Sequence, residues 1–469
     1  MPSPSQRRPA SLRAPPGSRL SRRAFLKLAG AAVAGGAAAC TPRAPSPTPR
    51  GSGPVQLVYQ DWRTEWFAPM AQQMLEVFHA EHPNIRVFFT PDPEGLRQQM
   101  PAAFEAGTAP DVFQGCCDYF PAWAQVGYTL DLAPLVAADL DQATIADWDA
   151  AQYKALATRD GKQFGLPKYH GALALYYNKD VFDEYGVDYP TEAWTYAEYL
   201  EAMKRLTHDR DGDGQTDLWG STLDPIYDRV QVHVNAWGGH YVDPADPARC
   251  LMAEPQARQA IEWLRARLWD DQVMATSLAV QKVATREAFY TGRLAMVEDG
   301  SWALKDILTH AQFRLGVSPL PAGPARRATL ATTDGYGIYA GTRSPEAAWE
   351  LVKFLTSQAY GRALARTNLL QPARASLVEE WIGFVRNEFV TAAAAADLAT
   401  FASSHLSGES VTVETFANLN GVRAVTDAAF EEILTLGRAA VDERLPAVCE
   451  SISAIQQGAA APAAGGCCA

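Results

Sequence analysis

Several kinds of pattern are missing from this chain, and each absence closes a class of function. After the first fifty residues there is no dense block of Lys and Arg, and acidic side chains outnumber basic ones by 53 to 41. Nucleic acid is thereby excluded as a partner, because its affinity rests on phosphate neutralisation by clustered basic residues. No Cys-x-x-Cys or Cys/His spacing of the zinc type occurs among the seven cysteines. There is no Gly-x-Ser-x-Gly, no His-Glu-x-x-His and no phosphate-binding glycine loop, so the common hydrolase and nucleotide signatures are absent. No apolar run reaches the roughly 20 residues that a spanning helix requires. What remains, at 48% hydrophobic and 20% charged over 469 residues, is the mixture of a soluble globular protein long enough for two or three domains.

The N-terminus reads as an address. Residues 1–39 hold Arg7, Arg8, Arg13, Arg19, Arg22, Arg23 and Lys27, with no acidic residue, ahead of an Ala/Gly-rich apolar run from Leu28 to Ala39. A charged region followed by a short hydrophobic one is the pattern of an export signal, and Ser21-Arg22-Arg23-Ala24-Phe25-Leu26-Lys27 resembles a twin-arginine motif. Ala37-Ala38-Ala39-Cys40 resembles a bacterial lipoprotein cleavage box, with Ala37 where Leu is usual, which makes Cys40 the expected lipidated residue. The Pro/Ser/Thr stretch from Thr41 to Arg50 favours extended conformers and reads as a tether that would stand a domain off a membrane. Removal of residues 1–39 leaves 34 basic against 53 acidic residues, a net charge of −19.

Cys116, Cys117, Cys250, Cys449, Cys467 and Cys468 remain for an exported chain to oxidise, and spacing alone does not fix their connectivity. Vicinal Cys116-Cys117 reads as a thiol site, as small buried residues or as half of a distant disulfide. The Ala/Gly/Pro tail from 458 to 469 reads as disordered. Between tether and tail, strands are expected at Val55–Tyr59, Ile85–Phe89 and Pro110–Phe113, alternating with helices at Trp66–Ala80 and Leu96–Ala106. This βαβαβ order points to a parallel sheet with helices on its faces. Phe164–Lys168 reads as an extended crossing segment into a strand at Ala172–Asn178. Helices at Tyr196–Leu206, Pro255–Trp269 and Lys282–Tyr290, a strand at Leu294–Val297, a strand at Gly335–Tyr339 and helices from Pro345 onward complete the order.

An ordered set of fragments then resembles the bacterial extracellular solute-binding protein family 1, of the maltose-binding type. They are Gly107-Thr108-Ala109-Pro110-Asp111-Val112-Phe113, Asp131-Leu132-Ala133-Pro134-Leu135, the run Leu173 to Asp180, Ala236-Trp237-Gly238-Gly239, Ala288 to Met296, Asp299-Gly300-Ser301-Trp302 and Ala347 to Leu355. The resemblance covers residues 55 to about 445. It implies an α/β protein with the type II periplasmic-binding fold: two lobes, each a mainly parallel sheet flanked by helices, joined by a hinge, with solute trapped in the cleft as the lobes close. On that reading residues 55–168 and 320–343 form the N-terminal lobe, and residues 169–319 and 344–457 the C-terminal lobe. It also implies a lipid-anchored, extracytoplasmic monomer that hands a carbohydrate to the permease subunits of an ABC importer. Other polar solutes such as glycerol-phosphate diesters, a sensor or adhesion role, and a secreted glycan hydrolase using carboxylates such as Asp118, Asp224 and Asp299 are the alternatives.

Sugars present flat CH faces and hydroxyl edges, so a cleft for them offers aromatic platforms with a few carboxylates and amides; the chain has 12 Trp and 17 Tyr. Asp61 and Trp62 follow the first strand. Asp118 and Tyr119 follow the third, and by resemblance Asp118 hydrogen-bonds sugar hydroxyls, although Asp is equally at home as a helix N-cap. Tyr169 and His170 lie on the crossing segment that lines the family's cleft, and Gly171 stands where the family often has an acid. Asp224 and Tyr227 resemble an acidic-Pro-aromatic segment whose ring stacks on sugar, or else form an ordinary turn. Trp237 reads equally as platform or core residue. Trp302, in the loop with Asp299, is the strongest platform by resemblance, and Tyr336 between two glycines is a further wall.

Asp209, Asp211, Asp213 and Asp217 occupy positions 1, 3, 5 and 9 of a calcium-type loop with Gly212 at position 6. Gly220 replaces the bidentate Glu at position 12, so a full EF-hand is excluded and the choice lies between a structural calcium ion and a solvated turn. No other cofactor is expected.

Overall fold

In a computed structural model, residues 53–280, 284–390, 396–401 and 409–458 are described. The export signal, Cys40, most of the tether, and Cys467 and Cys468 lie outside the described residues. The described strands, in chain order, are β1 (Val55–Asp61), β2 (Ile85–Pro91), β3 (Val112–Gly115), β4 (Leu166–Pro167), β5 (Leu173–Asn178), β6 (Ser221–Thr222), β7 (Met274–Ala275), β8 (Met296–Gly300), β9 (Leu315–Ser318), β10 (Thr329–Ala331), β11 (Gly335–Ile338) and β12 (Ser410–Thr412).

The first lobe is built on a sheet of order β2-β1-β3-β11-β4. β1 pairs parallel with β2 and β3, while β11 returns from late in the chain to pair antiparallel with β3 and β4. Apolar residues at alternate positions of β1, Leu57 and Tyr59, enter a core shared with the helix Phe67–Glu81. The opposite face packs Phe113, Phe120 and Trp123. Because β1, β2 and β3 run the same way, their carboxyl ends deliver Asp61-Trp62, Pro91-Asp92 and Cys116-Cys117-Asp118 to one edge, where open α/β sheets place ligands.

The second lobe centres on β8-β5-β9. Both pairings of β5 are antiparallel, in contrast to the mainly parallel sheet expected here. The reason lies in the connections: β5 reaches β9 and β8 only after long helical excursions that re-enter from the opposite end. Parallel pairing reappears at β6 with β7. Successive β5 residues divide between two cores, Leu173, Leu175 and Tyr177 on one side and Ala174 and Tyr176 on the other, so the strand is apolar throughout, as a strand covered on both faces must be. Helices Tyr196–Leu206 and Pro255–Trp269 form where the apolar spacing predicts them, the first closed by a Thr195/Glu198 capping box. A disulfide joins Cys250 to Cys449 on the helix Val441–Gln456, closing a loop of 199 residues within this lobe.

One expected boundary is displaced. Helices Pro345–Leu355 and Gln358–Asn368, assigned by sequence to the C-terminal lobe, pack on the first: Trp349, Val352, Leu355, Tyr360 and Leu364 belong to the core of β1 and β11. The chain follows β11 directly into these helices, and their apolar stripe completes the same core that the helix Phe67–Glu81 covers. Ala365 of the second of these helices already joins a core of the second lobe, in which Trp381, Ile382 and Val385 of the helix Val378–Glu388 are buried.

Three chain segments therefore pass between the lobes, and they bond to one another. The Lys168 N–H donates to the Asp334 carbonyl at 3.1 Å, and the His170 N–H to the Gln371 carbonyl at 2.8 Å. Gly171 lies so close to the second segment that an added Cβ would stand 2.4 Å from Thr332 Oγ1. No side chain fits there without parting the segments.

Candidate functional site

The cleft begins with a buried ion pair. Asp61 ends β1 and Lys168 opens the first crossing; their side chains are fully shielded from solvent, and Lys168 Nζ donates to Asp61 Oδ1. The other carboxylate oxygen accepts from Tyr59 Oη, which in turn lies 3.2 Å from Tyr360 Oη. Burial pulls the Lys168 ammonium below its ordinary range against the opposing pull of Asp61. Lys168 Nζ also stands 3.2 Å from the centroid of the Trp62 ring, a cation–π contact that fixes that ring.

Trp62 is the first of a set of aromatic rings at the mouth. Its centroid lies 6.0 Å from that of Trp66 and 5.6 Å from that of Tyr169, both edge-on. Across the gap Trp302 projects from the second lobe. The short 3-10 turn that carries it is tied to the first crossing, with Ser301 Oγ donating to the His170 carbonyl at 2.8 Å and Ser301 N–H to the Ala172 carbonyl at 3.0 Å. Gly300 makes room for the indole, because a Cβ there would meet the Trp302 ring at 2.2 Å. Trp62, Trp66, Tyr169 and Trp302, with Arg63, Asp92, Asn368 and Leu370, line a cavity of about 390 Å³, within the roughly 300 to 1,000 Å³ typical of small-molecule sites.

Two carboxyls beside the cavity are held high. Burial pushes Asp92 up to about 6, reinforced by the charge of Asp61 and opposed by the Gln60 amide. Burial likewise pushes Asp334 up to about 6 on the second crossing, against Lys168 and hydrogen bonds from Thr332 and Tyr169. Each holds its proton more tightly folded than unfolded. The stability each contributes is therefore fully present below the ordinary carboxylate range and lost as pH rises through about 6.

The residues picked out by sequence divide into three groups. Trp62, Tyr169 and Trp302 meet at the cavity, and His170 lies beside it in the crossing. Asp61, Asp118 and Asp299 sit at the expected strand ends, but each is engaged within the protein. Asp118 accepts a two-point hydrogen bond from Arg97 at 2.7 and 2.8 Å and faces Arg423 of the second lobe at 3.3 Å. It also makes no side-chain cap to its helix, so the N-cap alternative does not describe it either. Asp299 pairs with Arg286 and Arg229. Tyr119 packs on Trp123, and Asp224 stays at the surface.

Tyr227, Trp237 and Tyr336 are corrections. Tyr227 is fully buried, with its hydroxyl on the Glu414 carbonyl; Trp237 packs edge-on against Tyr196; Tyr336 is fully buried under Lys168 beside Tyr59 and Tyr360. Core packing claims each ring: Tyr336 lies within β11, while Tyr227 and Trp237, at the two ends of the helix Tyr227–Ala236, pack against Tyr241 and Tyr196. Trp66 and Asp92 were not singled out by sequence. Both stand within a few residues after a strand end, the same signal that marks Trp62. In the acidic loop the carboxylates of Asp209, Asp211 and Asp217 come within 4.8 Å of one another, while Asp213 is not part of that group and accepts instead from the Gln215 N–H.

A sequence model of the bacterial extracellular solute-binding protein family matches residues 60–362. The chain belongs to that family. The solute-binding chain is 26% identical over 302 residues to an uncharacterised lipoprotein of Streptomyces antibioticus, a match covering 61% of this chain and 62% of that one. It is 25% identical over 301 residues to the maltotriose-binding protein of Pyrococcus abyssi, covering 61% and 59%. It thus spans about three fifths of the length of these relatives. Among solved structures, an ABC substrate-binding protein of Listeria monocytogenes in complex with cycloalternan shares the fold with a TM-score of 0.74 at 20% identity, covering 87% of this chain and 100% of that one. A Mycobacterium tuberculosis protein in complex with glycerophosphocholine gives 0.69 at 20%, covering 87% and 99%. The two-lobe type II fold is therefore common to these binding proteins and this chain, and the family is extracytoplasmic. Among the described residues no helix is long and apolar enough to cross a membrane.

The ion pair yields a prediction. Lys168→Met leaves the Asp61 carboxylate buried without its partner, and urea denaturation is expected to show a loss of about 3 to 5 kcal/mol. Adding Asp61→Asn to Lys168→Met is expected to recover much of that loss.

Proposed function

We propose that this protein captures a carbohydrate, a mono- or oligosaccharide, between its lobes and delivers it to an ABC importer without chemical change. The observation that carries the reading is the set of rings lining the cavity, Trp62, Trp66 and Tyr169 with Trp302, an aromatic surface of the kind that suits the flat CH faces of a sugar. The maltotriose-binding relative and the cycloalternan-bound neighbour support the same solute class. Catalysis by paired carboxylates finds no support, since Asp118 and Asp299 are each committed to two arginines. A second reading has its own observation: the same rings, with Arg63 at the cavity, suit a phosphodiester carrying a quaternary ammonium, as in glycerophosphocholine.

A thermal-shift screen of maltotriose, cyclic glucans and glycerophosphocholine separates the two. A ligand at 100 times its dissociation constant is expected to stabilise the protein by about 2.7 kcal/mol. Trp66→Ala is expected to weaken binding of the responding ligand by about 2 kcal/mol or more, read by calorimetry; unchanged affinity would remove the ring from the site.

Membrane attachment through Cys40 belongs to the same proposal. Cys40→Ser is expected to move the protein from the membrane fraction to the soluble exported fraction, and an unaltered distribution would contradict it.

Calcium at Asp209, Asp211 and Asp217 is supported by the convergence of three carboxylates. Against it, Asp209 already accepts from the Gly212 and Gly214 N–H groups, at 2.7 and 2.8 Å, which hold its carboxyl below the usual range. Added calcium is expected to raise the melting temperature and chelator to reverse it, with Asp211→Ala abolishing the response.

A further inference from the structure

The turn between β3 and the helix Tyr119–Gln125 holds two groups that the proposed function does not use. Cys116 and Cys117 are both free thiols, both half-buried, with sulfurs 2.7 Å apart. That is inside ordinary van der Waals contact between sulfurs and about 0.7 Å from the bonded distance of roughly 2.0 Å. The backbone is set for the approach. Cys117 has φ of 57°, in the left-handed region that non-glycine residues seldom enter, and its carbonyl is held there by the Thr333 hydroxyl from the second crossing. Cys116 Sγ lies 2.9 Å from Tyr119 Oη. The next residue is Asp118, whose carboxylate joins Arg97 of the first lobe to Arg423 of the second.

We propose that Cys116 and Cys117 are a redox modification site, forming a vicinal disulfide by thiol–disulfide exchange with a disulfide-bearing oxidant. One cysteine thiolate attacks a sulfur of the oxidant, giving a mixed disulfide and expelling one thiolate. The second cysteine thiolate then attacks the sulfur of its neighbour, forming the Cys116–Cys117 bond and expelling the other. Two cysteine protons pass to the two departing thiolates, the protein loses two electrons, and the oxidant leaves as two thiols. The Cys250–Cys449 disulfide is a bond of the kind made in an oxidising compartment, where such an oxidant is present.

The bond would be a labile one. Adjacent Cα atoms across a trans peptide stand about 3.8 Å apart, closer than the roughly 4.4 to 6.8 Å of unstrained bridges, and strained disulfides are the more easily reduced. A reversible bond in this position changes the turn that aims Asp118 at Arg423, and so acts on a contact between the lobes.

The test reads the bond directly and needs no solute. Trypsin releases residues 98–154 as one peptide carrying both cysteines and no other. Full-length protein is equilibrated with oxidised glutathione or with a phosphine reductant, blocked with N-ethylmaleimide under denaturing conditions, and digested. The oxidised sample is expected to give this peptide about 2 Da lighter than the free dithiol and unlabelled, and the reduced sample to give it doubly labelled. Cys117→Ser is expected to leave Cys116 labelled or carrying one glutathione. A doubly labelled peptide after oxidation, stable glutathione adducts on the wild-type pair, or a crosslink from either cysteine to Cys467 or Cys468 would overturn the proposal.

Discussion

A lysine and an aspartate with no solvent exposure hold the place where the first lobe meets the hinge. Asp61 comes from the end of β1, Lys168 from the start of the first crossing, Tyr336 from β11 and Tyr360 from the helix that follows it. Three separate passes of the chain are thus brought to one charge pair. Desolvating two ions costs several kcal/mol each, so the pair gives specificity of arrangement more than net stability. Lys168 meets the Asp61 carboxylate where both side chains are fully shielded, and that pairing ties the start of the first crossing to the end of β1. The same ammonium lies against the Trp62 ring, so the element that orients the hinge also orients the first wall of the cleft.

Much of the fold was legible because its signals are local. Helices Leu96–Ala106, Tyr196–Leu206 and Pro255–Trp269 have the bounds that apolar spacing predicts, and the strands of the first lobe fall where short β-rich runs precede turn residues. Direction of pairing was not legible in the second lobe, since a strand covered on both faces is apolar throughout whichever way its neighbours run. Nor was the ownership of helices Pro345–Leu355 and Gln358–Asn368, because an apolar stripe states that a helix is buried and not against which sheet.

The site was legible to the extent that position at a strand end was used. Trp62 and Trp302 satisfy that condition and reach the cavity; Tyr227, picked by resemblance, and Trp237 and Tyr336, picked beside glycines, pack in or against the cores. Aromatic abundance alone therefore overstates a binding surface. Carboxylates were misjudged for a different reason. Their arginine partners lie 21 and 305 residues away from Asp118, separations at which nothing in a single sequence announces an ion pair. What reads as a free hydrogen-bonding acid is instead a joint between lobes.

The first sheet is not assembled from consecutive chain. β11 inserts between β3 and β4 after the whole first half of the second lobe has been made. During synthesis β3 consequently waits with one edge unpaired, and the helices that cover that face emerge later still. Unpaired strand edges are templates for association with other chains. The topology therefore gives this protein a long interval in which its N-terminal half is a sheet without a finished side, and places its closure in the last third of translation rather than at the beginning.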